Sequence, residues 1–452
     1  MTDEHIIHHS CSCSSALSDD YIVLASLPLD KLQDKLLKFV WDNQDAQFSW
    51  EYFKTYSDIL IDALIAGWKG DKTLTLDYRN PKDVNIDYKS SDWLTISLME
   101  ANLFAFSVEK SLDKVAATNR LLPGCKTFND FKNKVSAEIG EITDINNLRT
   151  EYNLAYRTSQ QAANYHKYLD KKDLYPYWQY KTQGDSRVRE AHEKLNNLVF
   201  KADDSAFTSI WPPNGWGCRC YIKPLADLPP DSSISNKNDA ENALKETIIN
   251  NKGDNEWNRM QKTGFDKNRA ILKDIFELNK KYADSLNEAK FGIKDNGLPK
   301  YKDIKDNARI NPDIIESNPA DALKWWEKLE KIDDKNAIIK DYNGRPIIIN
   351  KKTFKNHLTK QGDIPRYNLI NMIPDILANP DEVFLSQEGP KPDYVYKYIK
   401  YYKGMPMFVI CNLNNKMNSN ITSWYNLNIN NDKDFETIDK HKRAGLLVHK
   451  KK

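Results

Sequence analysis

The spacing of apolar residues changes along this chain, and that change limits the folds open to it. Up to about residue 165 the apolar side chains recur three and four residues apart. Leu29, Leu32, Leu36, Phe39 and Val40 do so first, then Leu94, Leu98, Leu103 and Val108. That period lines one face of a helix, and Pro28 and Asp30 supply a start signal. Helices are expected over 28–70, 91–120 and 127–165, with the Asp-, Lys- and Asn-rich stretch 71–90 as a loop. A charged helix is expected over 265–290. After about residue 340 the period becomes strand-like. Arg345–Asn350 (RPIIIN), Tyr394–Tyr402 (YVYKYIKYY), Met405–Cys411, Ile421–Leu427 and Gly445–His449 read as strands. Arg366–Ala378 reads as an amphipathic helix broken at Pro374 and stopped by Asn379-Pro380. A helix followed by an antiparallel meander makes an α+β domain.

The expected organisation is a multidomain α+β chain. A flexible tail (1–27) precedes a helical region (28–165), a small turn-rich αβ unit (166–226), linker and helices (227–340), and an α+β domain with an antiparallel sheet (341–452). Charge separates the last part from the rest. The whole chain has 66 Lys and Arg against 64 Asp and Glu, which excludes a generally polybasic protein. Residues 341–452 hold 18 against 11, a net of +7, and leave −5 on the other 340 residues. That quarter suits a polyanion, although solvated lysines give the same count. No run approaches eighteen apolar residues, so no membrane span is expected. The N-terminus lacks the basic and apolar regions of a secretory signal. Six cysteines, four of them as Cys11/Cys13 and Cys218/Cys220, are too few for a disulfide framework and fit a reducing cytoplasm.

Residues 175–225 crowd tyrosines, prolines and cysteines together. Asp185, Arg189 and His192 are spaced four and three apart, the spacing of one helix face. Cys218 and Cys220 share a face if the segment is extended. Two thiolates, an imidazole and a carboxylate form a tetrahedral zinc set, here Cys218, Cys220, His192 and Asp185. In the alternative, the cysteines are small buried residues, Asp185 pairs with Arg187 or Arg189, and His192 bonds a carbonyl. The segment closely resembles the phage Mu F-like head morphogenesis (minor capsid) family. That family shows a T-x-x-D-x-R-V-R-x-x-H helix and a P-P-N-G-x-G-C-R-C turn. Here these are Thr182, Asp185, Arg187, Val188, Arg189 and His192, then Pro212 to Cys220. The resemblance implies a minor head protein of few copies, with the portal, other capsid proteins and packaged DNA as partners. It also implies assembly in the bacterial cytoplasm and then residence in the virion.

The C-terminal order resembles the phage-associated branch of the barnase–EndoU–colicin–RelE-like nuclease superfamily. Strand RPIIIN is followed by KKTFKNHLTK, YVYKYIKYY, MFVICNL, ITSW and HKRAGLLVHK. Such domains occur behind Mu F-like regions, where they look like toxins. The resemblance implies RNA as substrate, delivery into a target cell, and a cognate immunity protein. RNA carries its own nucleophile, the 2′-OH. Cleavage then needs a base, an acid and cations for the charged phosphorane, and no cofactor. His357 is the best base or acid, and His441 a second. Lys397 and Arg443 are candidates to hold phosphate, Thr422 and Ser423 to donate hydrogen bonds, and Tyr394, Tyr396 and Tyr398 to stack bases. Glu382, Glu388 and Glu436 are candidate carboxylate bases with nothing to choose between them. Each residue also has a structural reading: a hydrogen-bonded histidine, a solvated lysine, tyrosines in a sheet core, strand-forming Thr and Ser. The alternative function is a structural virion protein whose basic domain binds DNA or a capsid partner without catalysis.

Overall fold

The computed structural model describes residues 29–70, 92–278, 285–287, 290–304, 310–360, 364–388, 393–414, 417–429 and 431–451. The expected tail 1–27, with Cys11 and Cys13, and the loop 71–90 lie outside the described residues. Among the described residues five helices come first: α1 (Leu29–Asp42), α2 (Trp50–Lys69), α3 (Asp92–Asn119), α4 (Phe128–Glu138) and α5 (Ile145–Asp170). Their ends follow local chemistry. Ser49 caps α2 by accepting the Tyr52 N–H, and Gly70 closes it in the left-handed conformation. Thr127 and Asp130 form a capping box at the start of α4. α2 packs against α3 and α5. At Gly67 the α2 backbone lies directly on α5, where a Cβ would overlap the Tyr156 carbonyl. Gly67→Ala should therefore cost about 1–3 kcal/mol through overpacking, seen as a lower urea midpoint with an unchanged slope.

The second unit is a small antiparallel sheet in the order β2-β1-β3. It comprises β1 (Tyr177–Lys181), α6 (Glu190–Leu195), β2 (Val199–Lys201) and β3 (Tyr221–Leu225). Its aromatic core of Trp178, Phe207 and Trp211 meets Tyr165 of α5, with the Tyr165 and Trp211 rings 4.9 Å apart edge to face. α7 (Lys237–Lys245), α8 (Glu256–Thr263) and α9 (Arg269–Leu272) follow. Of the charged helix expected over 265–290, only the short α9 forms in the described stretch 265–278. Lys273 takes φ 59° and ends α9, and the chain turns inward instead. The Ile275 and Phe276 N–H groups donate to Asn102 of α3, and Phe276 stacks on Phe106 at 3.9 Å.

The third unit begins with α10 (Tyr301–Ile304), α11 (Pro319–Glu327), β4 (Glu330–Lys331), β5 (Asn336–Lys340), β6 (Pro346–Asn350), α12 (Lys351–Leu358) and α13 (Met372–Ala378). β7 (Glu382–Glu388), β8 (Asp393–Tyr402), β9 (Met405–Asn414), β10 (Met417–Asn426), α14 (Asp432–Thr437) and β11 (Leu446–Lys450) complete it. The eight strands run in the order β11-β7-β8-β9-β10-β6-β5-β4, antiparallel except for the β10–β6 pair. The sheet thus starts ahead of residue 341, because β5 pairs with β6 along its length. Pro374 does not break α13. It sits in the first turn, where no intrahelical N–H bond is needed.

This sheet shares its core with the helical region. Phe53, Leu98, Phe104 and Val108 join one apolar cluster with Ile347, Tyr396, Leu413 and Trp424. Beside it, buried Arg345 pairs with Glu100 of α3 and with Asp341, and Asp341 also accepts the Tyr398 hydroxyl. Burial raises the Glu100 carboxyl above its ordinary range, against the pull of Arg345.

Candidate functional site

α12 is positioned by its cap and by a column of rings. The Asn350 side chain accepts the Lys352 and Thr353 N–H groups. Phe354 is sandwiched between Trp325 and Trp424, at 5.7 and 5.3 Å. One turn on, His357 lies beside Trp424 at 5.7 Å. The Trp424 indole N–H donates to the Arg366 carbonyl, which fixes the start of the 366–368 turn beneath the histidine. Arg366 Nη1 lies 2.8 Å from His357 Nδ1 and 3.0 Å from Ser423 Oγ. Lys360 Nζ lies 3.3 Å from His357 Nε2. Burial, then Lys360 and Arg366, push the His357 pKa down to about 4. At neutral pH the imidazole is therefore uncharged, with two cations and a hydroxyl around it.

The structure divides the candidates drawn from sequence. His357 and Ser423 come together. Thr422 makes no hydrogen bond to them that the structure shows, and donates to the Ile410 carbonyl and to Asn412 Oδ1 at 3.3 Å. Lys397 is buried, with Nζ 3.4 Å from the carbonyls of His441 and Ala444. Arg443 is fully buried and cannot hold a phosphate. It donates twice to Glu382, at 2.9 and 2.6 Å, and also to Asp439 and the Pro299 carbonyl. Glu382 is thereby committed to Arg443. His441 is exposed on the 438–442 turn nearby, and exposed Glu436 pairs with Lys440. Tyr394, Tyr396 and Tyr398 are buried in the sheet core and offer no ring to a base. The Glu388 side chain lies outside the described residues. Sequence reasoning missed Arg366 and Lys360. Lys360 stands three residues beyond His357, a visible helical spacing, whereas nothing local marks Arg366.

A second cluster forms in the small sheet unit. His192 Nδ1 lies 3.8 Å from Cys218 Sγ and 3.6 Å from Cys220 Sγ, all three buried. His192 Nε2 lies 3.1 Å from Glu256 of α8. Burial works to raise the Glu256 carboxyl, but Arg259 and His192 hold it down at about 2. Asp185 is not part of the cluster. α6 starts only at Glu190, so Asp185 shares no helix face with His192. Its carboxylate takes two bonds from Arg219, at 2.7 and 2.5 Å, which hold it well below the usual range.

Both regions have counterparts among known proteins. Residues 118–223 match the family model of Phage Mu protein F like protein. Residues 324–450 match that of phage-Barnase-EndoU-ColicinE5/D-RelE like nuclease2. One region of the chain is thus similar to Mu F-like proteins and another to this type of nuclease domain. The chain is similar to the putative capsid assembly protein F of Escherichia phage Mu, 44% identical over 79 residues, 18% of each chain. It is also similar to the Mu-like prophage FluMu F protein of Haemophilus influenzae, 34% identical over 105 residues, 23% of this chain and 25% of that protein. The chain therefore spans a quarter or less of the length of these relatives. No solved structure matches. No helix among the described residues is long and apolar enough to cross a membrane.

Proposed function

We propose that this chain is a phage or prophage minor head protein, acting near the portal, whose C-terminal domain is a metal-independent ribonuclease. The observation that carries the catalytic part is the neutral His357 between Arg366, Lys360 and Ser423. In this reading His357 takes the proton of an RNA 2′-OH, and O2′ attacks the adjacent phosphorus. The bond from phosphorus to the 5′-oxygen breaks, and Lys360 protonates the leaving oxygen. The products are a 2′,3′-cyclic phosphate and a free 5′-OH. Arg366 and the Ser423 hydroxyl stabilise the charged phosphorane. The surplus of basic residues over 341–452 draws RNA to the domain.

Capsid proteins, the portal and packaged DNA are the proposed partners of the first two thirds. Cytoplasmic assembly, packaging into the virion, delivery of the nuclease domain into a target cell and a cognate immunity protein complete the proposal. A zinc ion is proposed as a structural cofactor of the small sheet unit, held by His192, Cys218 and Cys220.

The test is expression of the full chain in bacteria under tight control. The full chain is needed because β5, α2 and α3 contribute to the core of the nuclease-type domain. Growth arrest with fragmented total RNA is expected. Normal growth with intact RNA, from folded protein, would favour a domain that only binds. The pH profile adds a second prediction. A base with a pKa of about 4 is deprotonated above it, so kcat/KM should rise through about pH 4 and be level on that side from about pH 5. Removing a neighbouring cation makes protonation easier, so Arg366→Gln should move this limb to higher pH.

A further inference from the structure

The histidine–cysteine cluster is arranged for a metal in detail. His192 Nε2 is occupied by the Glu256 carboxylate, so the proton belongs on Nε2 and the Nδ1 lone pair faces the two sulfurs. A carboxylate behind a ligating histidine is the usual way to fix its tautomer and orientation. The distances also fit. Tetrahedral zinc with bonds of about 2.0–2.1 Å to nitrogen and about 2.3 Å to sulfur sets neighbouring ligand atoms about 3.5 Å apart. The observed separations are 3.6 and 3.8 Å. Among the described residues only three such groups converge, one short of a closed structural site. Asp185, the natural fourth, is held by Arg219 instead.

What stands beside the three ligands is a small cleft open to solvent. Gln183, Arg187, Arg189, Arg219, His192, Cys218 and Cys220 line it. Zinc with two thiolates is a neutral centre. The guanidinium groups of Arg187, Arg189 and Arg219 outnumber the Asp185 carboxylate next to them, so the wall of the cleft is cationic. Such a wall repels a cation and favours an anion at the metal.

We infer that zinc here has three protein ligands, His192 Nδ1, Cys218 Sγ and Cys220 Sγ, and that its fourth position opens on the arginine-lined cleft and accepts a carboxylate. This rests on the proposal that the cluster binds zinc. It makes the centre a receptor for an acidic group rather than only a clip between α6, the 214–220 turn and α8.

The test uses the purified full-length chain. Elemental analysis should find one zinc per chain, lost in the Cys218→Ser, Cys220→Ser double variant. Replacement by Co²⁺ should give a thiolate-to-cobalt charge-transfer band and the visible bands of a four-coordinate ion. Titration with acetate should shift those visible bands saturably, and Arg189→Gln should weaken the acetate response about tenfold. Glu256→Gln should lower metal affinity about 10- to 100-fold in competition with a chelator. If the double cysteine variant does not fold, the wild-type spectra and Glu256→Gln still decide. Absence of zinc and of the charge-transfer band would remove the zinc proposal, and this inference with it. Zinc in place, with cobalt bands that acetate leaves unchanged, would leave the zinc standing and overturn the open position.

Discussion

His357→Ala in the purified full chain should lower the rate of RNA cleavage by about 10²- to 10⁴-fold, the range for loss of a positioned proton acceptor. The loss should fall on kcat, because Arg366, Lys360 and Ser423 remain to hold the phosphate. Stability should change little. His357 is half-buried near the end of α12, and the stack of Trp325, Phe354 and Trp424 that anchors the helix is left intact. Thermal unfolding followed by circular dichroism, alongside a fluorogenic dinucleotide assay, separates the two effects. A variant with wild-type kcat would remove His357 from the chemistry.

Arg443→Ala should do the opposite. Its guanidinium is fully buried, and it bridges Glu382 on β7, Asp439 on the 438–442 turn and the Pro299 carbonyl. Truncation strands the Glu382 carboxylate, itself buried, without its cation. Breaking one side of a buried pair costs about 3–5 kcal/mol, a large part of the stability of an ordinary domain. Urea denaturation should show that loss. At a temperature where the variant is still folded, its activity per folded molecule should stay near wild type. A selective loss of activity with unchanged stability would return Arg443 to the phosphate site.

The contrast between these two residues shows how far the sequence was legible. The three- and four-residue period gave α1 and α3 and the helical character of 28–70 and 127–165, and the strand-like pattern gave β6, β8, β9 and β11, because those patterns are local. Cys218 and Cys220 were also legible as a pair held by a short turn motif, and His192 of α6 meets them from twenty-six residues ahead of Cys218. What was not legible depended on pairing across the chain. Lys397 and Arg443 have the chemistry of phosphate binders, but long-range packing buries them at another part of the sheet. Asp185 looked like a metal ligand by helical spacing, yet the helix begins five residues later and Arg219 claims the carboxylate. Arg366 carries no signal at all, because its place beneath His357 is set by Trp424, fifty-eight residues away. The tyrosines of β8 alternate as expected, but α2 and α3 bring partner residues to the core in which they lie, and no single segment reveals that contact.

The most direct test of the central claim is the identity of the cleaved ends. Purified full-length chain would be incubated in EDTA with an oligoribonucleotide and with the same oligonucleotide carrying a single 2′-deoxy substitution at the principal cleavage site. Mass spectrometry would read the fragments. The proposed mechanism predicts 2′,3′-cyclic phosphate and 5′-OH ends, formed without added metal, and no cleavage at the 2′-deoxy position. Cleavage at that position, a requirement for added metal, or intact RNA after prolonged incubation with folded protein would contradict it.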